Sequence, residues 1–307
     1  MCKMSFFKDR KEPSEAAILR ILDKRMQLAE KDKQYYHNLV KGFEGEVMFD
    51  SLTEKLQCES LFLNDLLLDQ NNSTFQLDSV MITQDPLYLF EVKNYEGDFY
   101  YEDGRFYTLS KKEIKNPLHQ LARSESLLRQ LLQSIGYRIP IKSYVIFINP
   151  QFTLYQAPIN QPIIFPNQLP NFMGNLNERP SKLTRRHKSI AEKLVSLHQN
   201  ESLYKKLPPY NYESLRKGLN CSVCYSFMVF VEDKKLVCDL CGHQESVDTA
   251  ILRAVEELKL LFPGEKITTN GVHEWCQVVD SKKTIRRVLK QNYSSIGKRE
   301  FHFIKLE

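Results

Sequence analysis

Two Cys-x-x-Cys pairs, Cys221/Cys224 and Cys238/Cys241, restrict the folding of this chain more than any other feature. Each pair offers two thiolates from one tight turn, and the stretch Tyr225 to Val237 between the pairs lets them close a tetrahedral site around Zn²⁺. Four thiolates leave no open coordination position, so such an ion is structural, and His243 is not needed to complete it. Ser226 to Val231 and Lys234 to Val237 read as β-strands around a turn at Glu232-Asp233, and Gly242 suits the second knuckle. The other cysteines, Cys2, Cys58 and Cys276, read as free thiols in a reducing compartment.

The full chain of 307 residues is 42% hydrophobic and 26% charged, which excludes a chain disordered throughout and implies two or three domains. No apolar run is long enough for a spanning helix and the N-terminus lacks a signal peptide's apolar stretch, so the expectation is a cytoplasmic chain with no membrane partner. A net charge of +5 identifies no partner by itself; the position of the charge matters more. Glu15 to Glu30 and Tyr35 to Leu56 have helical spacing. Leu61 to Leu68, Phe75 to Ile82, Leu87 to Lys93, Asp98 to Tyr101 and Arg105 to Leu109 read as apolar or β-type runs, expected to form a meander of hairpins. Pro117 to Ile135 returns to helix and Ile141 to Ile148 to a buried strand. Asn149 to Pro180 reads as irregular, and Ser181 to His198 as a helix. The expected division is a helical extension (1–35), an α/β domain (36–150), a linker (151–216), the cysteine unit (217–246) and a helical domain (247–307).

Three places in the α/β domain bring carboxylates within reach of one another: Glu46 in Gly42-Phe43-Glu44-Gly45-Glu46, Asp78 after Gln76-Leu77, and Glu91-Val92-Lys93. Alternation puts Glu91 and Lys93 on one face of a strand and Val92 on the other, with the Val92 carbonyl near the polar site. Two carboxylates and a carbonyl suit Mg²⁺ (or Mn²⁺), leaving positions for a phosphate and a water that Lys93 orients or deprotonates. A solvated, salt-bridged hairpin has the same pattern, but the apolar flank Leu87-Tyr88-Leu89-Phe90 argues for a strand deep in a sheet, where an unneutralised Glu is costly.

Gly42-x-x-Gly45-Glu46, Gln76-Leu77-Asp78, Phe90-Glu91-Val92-Lys93-Asn94 with Gly97, and Asn116-Pro117-x-x-Gln120, in that order, closely resemble the nuclease-related domain (NERD) family of the PD-(D/E)xK nuclease superfamily. The resemblance covers roughly Tyr36 to Pro150, and departs from the family in having Leu77 where Ile is frequent. It implies a restriction-endonuclease-like α/β core, a mixed sheet flanked by helices. It also implies Asp78 and Glu91 as metal ligands, Lys93 as the catalytic lysine, Glu46 as a supporting acid on the first core helix, and Gln120 as an orienting group. The cysteine unit resembles a zinc ribbon.

Beyond it, Asp248 to Leu261, Thr269 to Cys276 and Ser281 to Gln291 read as three short helices, the last capped by Ser281, which suggests a helix-turn-helix. Lys282, Lys283, Arg286, Arg287, Lys290, Lys298 and Arg299 fall within one stretch that has no Asp or Glu. With Phe301 to Leu306 as the returning strand of a wing, this fits a winged-helix-like unit contacting phosphates, against the alternative of a merely solvated basic face. The expected function is a Mg²⁺-dependent DNA nuclease delivered to DNA by its C-terminal part; the second reading is a non-catalytic DNA-binding regulator or adaptor on a nuclease-like scaffold. RNA or a protein remains an open partner for the ribbon, as does a homodimer.

Overall fold

The computed structural model describes residues 5–199, 206–296 and 303–304. The chain opens with a short strand, β1 (Ser5–Lys8), and two helices, α1 (Ser14–Arg25) and α2 (Glu30–Thr53). It forms two compact units, one of Met1–Pro13 with His37–Lys205, the other of Ser14–Tyr36 with Lys206–Glu307. α2 contributes to both.

In the first unit, β2 (Leu61–Gln70) and β3 (Ser73–Ile82) form a hairpin whose turn residues Asn71 and Asn72 both have positive φ, 51° and 57°. Asn tolerates that region, and a two-residue turn of this hand matches the strand twist. β4 (Leu87–Lys93) follows antiparallel to β3. Beyond Lys93 the chain leaves this sheet: β5 (Gly97–Glu102), β6 (Arg105–Thr108) and β7 (Glu113–Ile114) start a second one. The single meander expected from the turn signals is therefore two sheets, divided where Asn94-Tyr95-Glu96 breaks the pairing. Next come α3 (Pro117–Ser134), whose N-cap Asn116 accepts from Leu118 N–H at 2.9 Å, and β8 (Ile141–Phe147), parallel to β4.

The stretch expected to be irregular is also structured. β9 (Phe152–Tyr155) pairs with β5, β10 (Ile163–Ile164) pairs with β8, and α4 (Leu169–Asn177) and α5 (Arg185–Ser196) complete the unit. Its strands are too short to show an alternation, and their partners are distant in sequence; the compact unit continues past residue 150.

The result is a mixed α/β layer structure. The main sheet runs β1-β2-β3-β4-β8-β10 and the smaller sheet β7-β6-β5-β9. Leu63, Val80, Leu89 and Phe147 pack with Leu121 and Leu128 of α3 and Ile190 and Leu194 of α5 on one side. Phe62, Met81, Phe90 and Ile146 pack with Phe49 of α2 and Leu169 and Leu176 of α4 on the other. The arrangement is that of a nuclease-like core, as the resemblance implies.

In the second unit, β11 (Val229–Glu232), β12 (Lys235–Cys238) and β13 (Gln244–Ser246) form an antiparallel sheet, followed by α6 (Val247–Leu261), α7 (Thr269–Cys276) and α8 (Lys282–Asn292). The β11–β12 turn, Asp233-Lys234, again has two positive φ angles. Ser281 caps α8, its hydroxyl accepting from Thr284 N–H. β14 (Ser295–Ile296) pairs antiparallel with β15 (Phe303–Ile304). α1 is not a separate extension: Ile18 and Leu22 share a core with Ala250, Ala254, Trp275 and Ile285. Among the described residues no helix is long and apolar enough to cross a membrane.

Candidate functional site

The acids meet where the hydrogen-bond ladder of the main sheet fails. β2 and β3 pair at Asn64↔Ser79 and again at Leu66↔Leu77, but the rung between, Asp65 with Asp78, is missing, and Asp65 has φ +53°. The side facing α3 and α5 accordingly changes phase, from Leu61 and Leu63 to Leu66 and Leu68 on β2, and from Phe75 and Leu77 to Val80 and Ile82 on β3. Pairing of β3 with β4 extends only as far as Ser79↔Phe90. Past that rung the Asp78 carboxylate replaces the backbone, accepting from Val92 N–H at 2.8 Å through Oδ2. Asp78 is thus 7% exposed and Glu91, on the adjacent strand, 2%.

Glu91 and Lys93 share a face, as alternation requires, and Lys93 Nζ donates to Glu91 Oε1 at 2.5 Å. Burial and the neighbouring Asp78 charge raise the Glu91 pKa, while Lys93 only partly opposes them. Burial disfavours charge on Lys93, but Glu91 and Asp78 outweigh it and hold its pKa above the usual lysine range. Glu46 projects from α2; burial, then Asp78, push its pKa up to about 8. Asp78 is the neighbour common to Glu46, Glu91 and Lys93.

α2 can come this close because of Gly45. A Cβ there would lie 2.4 Å from Cβ of Asn94, the residue after Lys93. Asn94 is itself fixed, donating to the Lys41 carbonyl at 2.8 Å and accepting from Asn149 Nδ2 at 3.0 Å. Gln120 lies half-buried on α3, and no hydrogen bond joins its side chain to Asp78, Glu91 or Lys93. Asn116, in the same motif, is a cap: besides Leu118 N–H it binds the Gly104 carbonyl at 2.7 Å.

Two cations that the sequence reading did not select complete the cluster. Lys8 Nζ donates to the Asn64 and Asp65 carbonyls, both at 2.7 Å, and Arg10 Nη2 donates to the Asp78 carbonyl at 2.9 Å. They satisfy backbone acceptors beside the missing rung. Arg10 also binds Glu46 Oε2 at 2.5 Å and both oxygens of Asp50, at 2.9 and 3.1 Å. Neither residue belongs to a recognisable motif, and a four-residue parallel strand gives no periodic signal.

The four knuckle cysteines gather as their spacing predicts. Their Sγ atoms all lie within 4.8 Å of one another, with Cys221–Cys241 at 3.6 Å and Cys224–Cys238 at 3.5 Å. A tetrahedron with arms of about 2.3 Å has edges of about 3.8 Å, so the donor set fits zinc. The two knuckles match: Tyr225 N–H bonds the Cys221 carbonyl and Gly242 N–H the Cys238 carbonyl, at φ +60° and +71°. Cys58 and Cys276 are buried free thiols; Cys2 lies outside the described residues.

On α8, Ile285, Val288 and Leu289 are buried, and Lys282, Lys283, Arg286 and Lys290 are exposed. Arg287 is exposed as well, and it has partners. Its guanidinium makes a bidentate pair with Asp248 of α6, at 2.6 and 2.9 Å, and also donates to Gln291. The fork geometry of a guanidinium favours that carboxylate over an open surface. Lys298 and Arg299 lie outside the described residues, as does most of the expected wing.

Searches of the curated proteins and of the solved structures return no match to this chain. Residues 41–148, which carry Gly45, Glu46, Asp78, Glu91, Lys93 and Gln120, match the family model of the nuclease-related domain, NERD.

Proposed function

We propose that the chain is a metal-dependent nuclease that hydrolyses phosphodiester bonds in DNA, with its cysteine unit and the basic face of α8 engaging the nucleic acid. The observation carrying this reading is the splayed end of β3 and β4, where Asp78 and Glu91 stay buried beside Lys93 with no backbone ladder between them. Asp78 and Glu91, with the Val92 carbonyl, would hold Mg²⁺ or Mn²⁺. One oxygen of each carboxylate is engaged, by Val92 N–H and Lys93 Nζ, and each carboxylate keeps a second with which to ligate. When bound, such a cation polarises a phosphate and lowers the pKa of a coordinated water.

The protein's own groups do the rest. The Lys93 ammonium lies beside Glu91 and would oppose negative charge that develops on a phosphate in the transition state. Glu46 adds a supporting acid on α2, held by its ion pair with Arg10. Gln120, on the helix after the second sheet, is assigned no more than an orienting role. The cysteine cluster would hold a structural Zn²⁺, and Lys282, Lys283, Arg286 and Lys290 would contact phosphates without specifying sequence.

The test is incubation of zinc-loaded protein with supercoiled, linear and single-stranded DNA in Mg²⁺ or Mn²⁺, with Glu91→Ala as control. Cleavage lost in the variant supports the nuclease reading and gives its substrate form. DNA binding without cleavage in either metal replaces it with the DNA-binding scaffold. In parallel, changing Lys282, Lys283, Arg286 and Lys290 to Gln should flatten the salt dependence of DNA binding, because log K falls by about 0.9 per log salt for each phosphate contact.

A further inference from the structure

Arg10 lies outside the span matched by the family model, yet its side chain is only 3% exposed and sits among the acids. It engages both oxygens of Asp50 and one of Glu46, residues one turn apart on α2, and the carbonyl of Asp78. Asp50 is doubly committed, since Asn64 Nδ2 also donates to its Oδ1 at 3.1 Å. The strand that delivers Arg10 is pinned by its pairing with β2 and by the Lys8 contacts to Asn64 and Asp65.

A charge count gives this arrangement a chemical meaning. With every group ionised, Glu46, Asp50, Asp78 and Glu91 face Arg10 and Lys93, an excess of two negative charges. Asp65 and Lys8 add one of each sign, and Lys115 is an exposed cation further out. One divalent cation neutralises that excess. A two-metal centre needs carboxylates on both ions, about 3.5–4 Å apart, and the acids on the α2 side are taken by a guanidinium that does not deprotonate.

We propose that Arg10 is a positioning residue that limits this cluster to a single divalent cation, occupying with its guanidinium the Glu46/Asp50 side that a second ion would otherwise fill. The proposal rests on the nuclease reading of Asp78 and Glu91. It makes the N-terminal strand part of the site and assigns the reaction to one-metal chemistry.

The experiment is Mn²⁺ titration of the zinc-loaded full chain, followed by calorimetry and electron paramagnetic resonance. The wild type should bind one Mn²⁺, lost in Asp78→Asn. Arg10→Gln should bind two, with the spin-coupled spectrum of neighbouring ions, and Arg10→Lys, which restores the charge, should return to one uncoupled ion. A folded Arg10→Gln protein that still binds one ion overturns the proposal and leaves the nuclease reading standing. Two ions in the wild type overturn it as well, whether or not Arg10→Gln folds. No Mn²⁺ bound by the wild type removes the metal site itself, and the proposal with it.

Discussion

Replacing Gly45 by Ala should damage the site through the backbone, without touching any charged group. The added methyl would start 2.4 Å from Asn94 Cβ, whereas carbon atoms in contact sit about 3.5–4.0 Å apart. The gap must therefore open by more than about 1 Å, and neither side yields easily. Asn94 Cβ is next to the main chain, and its amide is held by Lys41 and Asn149. Overpacking of this kind costs about 1–3 kcal/mol, while Ala in place of Gly in a helix returns up to about 1 kcal/mol. The net expectation is a loss of roughly 0–2 kcal/mol. Gly42, one turn earlier on α2, has nothing within 4 Å of an added Cβ. Gly42→Ala should then be stabilising by up to about 1 kcal/mol, so the difference between the two variants isolates the contact. Glu46 directly follows Gly45, and an ångström of misplacement can cost on the order of 10²-fold in rate. Urea unfolding and the DNA-cleavage assay read both effects. Gly45→Ala matching Gly42→Ala in stability and in rate would refute the account of how α2 approaches β4.

Chelation of zinc should unfold the second unit while the first keeps its helix and strand signals; hydrogen exchange resolves the two, and uniform protection after chelation contradicts a structural ion. Arg25, 3% exposed, binds Glu257, donates to the Arg216 and Gly218 carbonyls and lies over Trp275. Arg25→Met should cost about 1–3 kcal/mol, because Glu257 loses its nearest cation and keeps only Trp275 Nε1–H at 3.3 Å and Arg253 at 4.0 Å, with part recovered in the Arg25→Met/Glu257→Gln double variant; an additive double variant argues against the pairing. His198 Nδ1 accepts from Leu67 N–H, and burial, then Lys8, lower its pKa below 6.5. The unfolded chain therefore binds the extra proton first, so this contribution is full above about pH 6.5 and is lost as pH falls through the folded value. The thermal midpoint of wild type should drop more steeply than that of His198→Gln between pH 7 and 5, and parallel curves would exclude the linkage.

Local chemistry was legible in the sequence because one or two residues decide it. Asp103-Gly104, Ser281 and the four knuckle cysteines each fix a turn, a cap or a ligand set with no help from distant chain. The motif order also located Glu46, Asp78, Glu91 and Lys93 in one neighbourhood. What stayed hidden depends on pairing across long separations. Ser5–Lys8 has no alternation that marks it as the edge partner of Leu61–Leu63, so nothing in the sequence singled out Arg10. The same holds for Ile163–Ile164 beside β8 and for α1, whose apolar face gives its period but not its partner. Arg287 shows the limit of reading charge by its sign: Asp248, thirty-nine positions earlier, claims it.

The assembly of the second unit from Ser14–Tyr36 and Lys206–Glu307 also sets an order of events during synthesis. Translation at about 5–20 residues per second leaves roughly 10–40 s between the completion of α1 and the arrival of Lys206. Throughout that interval Ile18 and Leu22 have none of their core neighbours from α6, α7 and α8. The intervening chain can meanwhile complete the first unit. A nascent chain arrested before residue 206 therefore displays an uncovered amphipathic helix, the kind of surface that chaperones and proteases select.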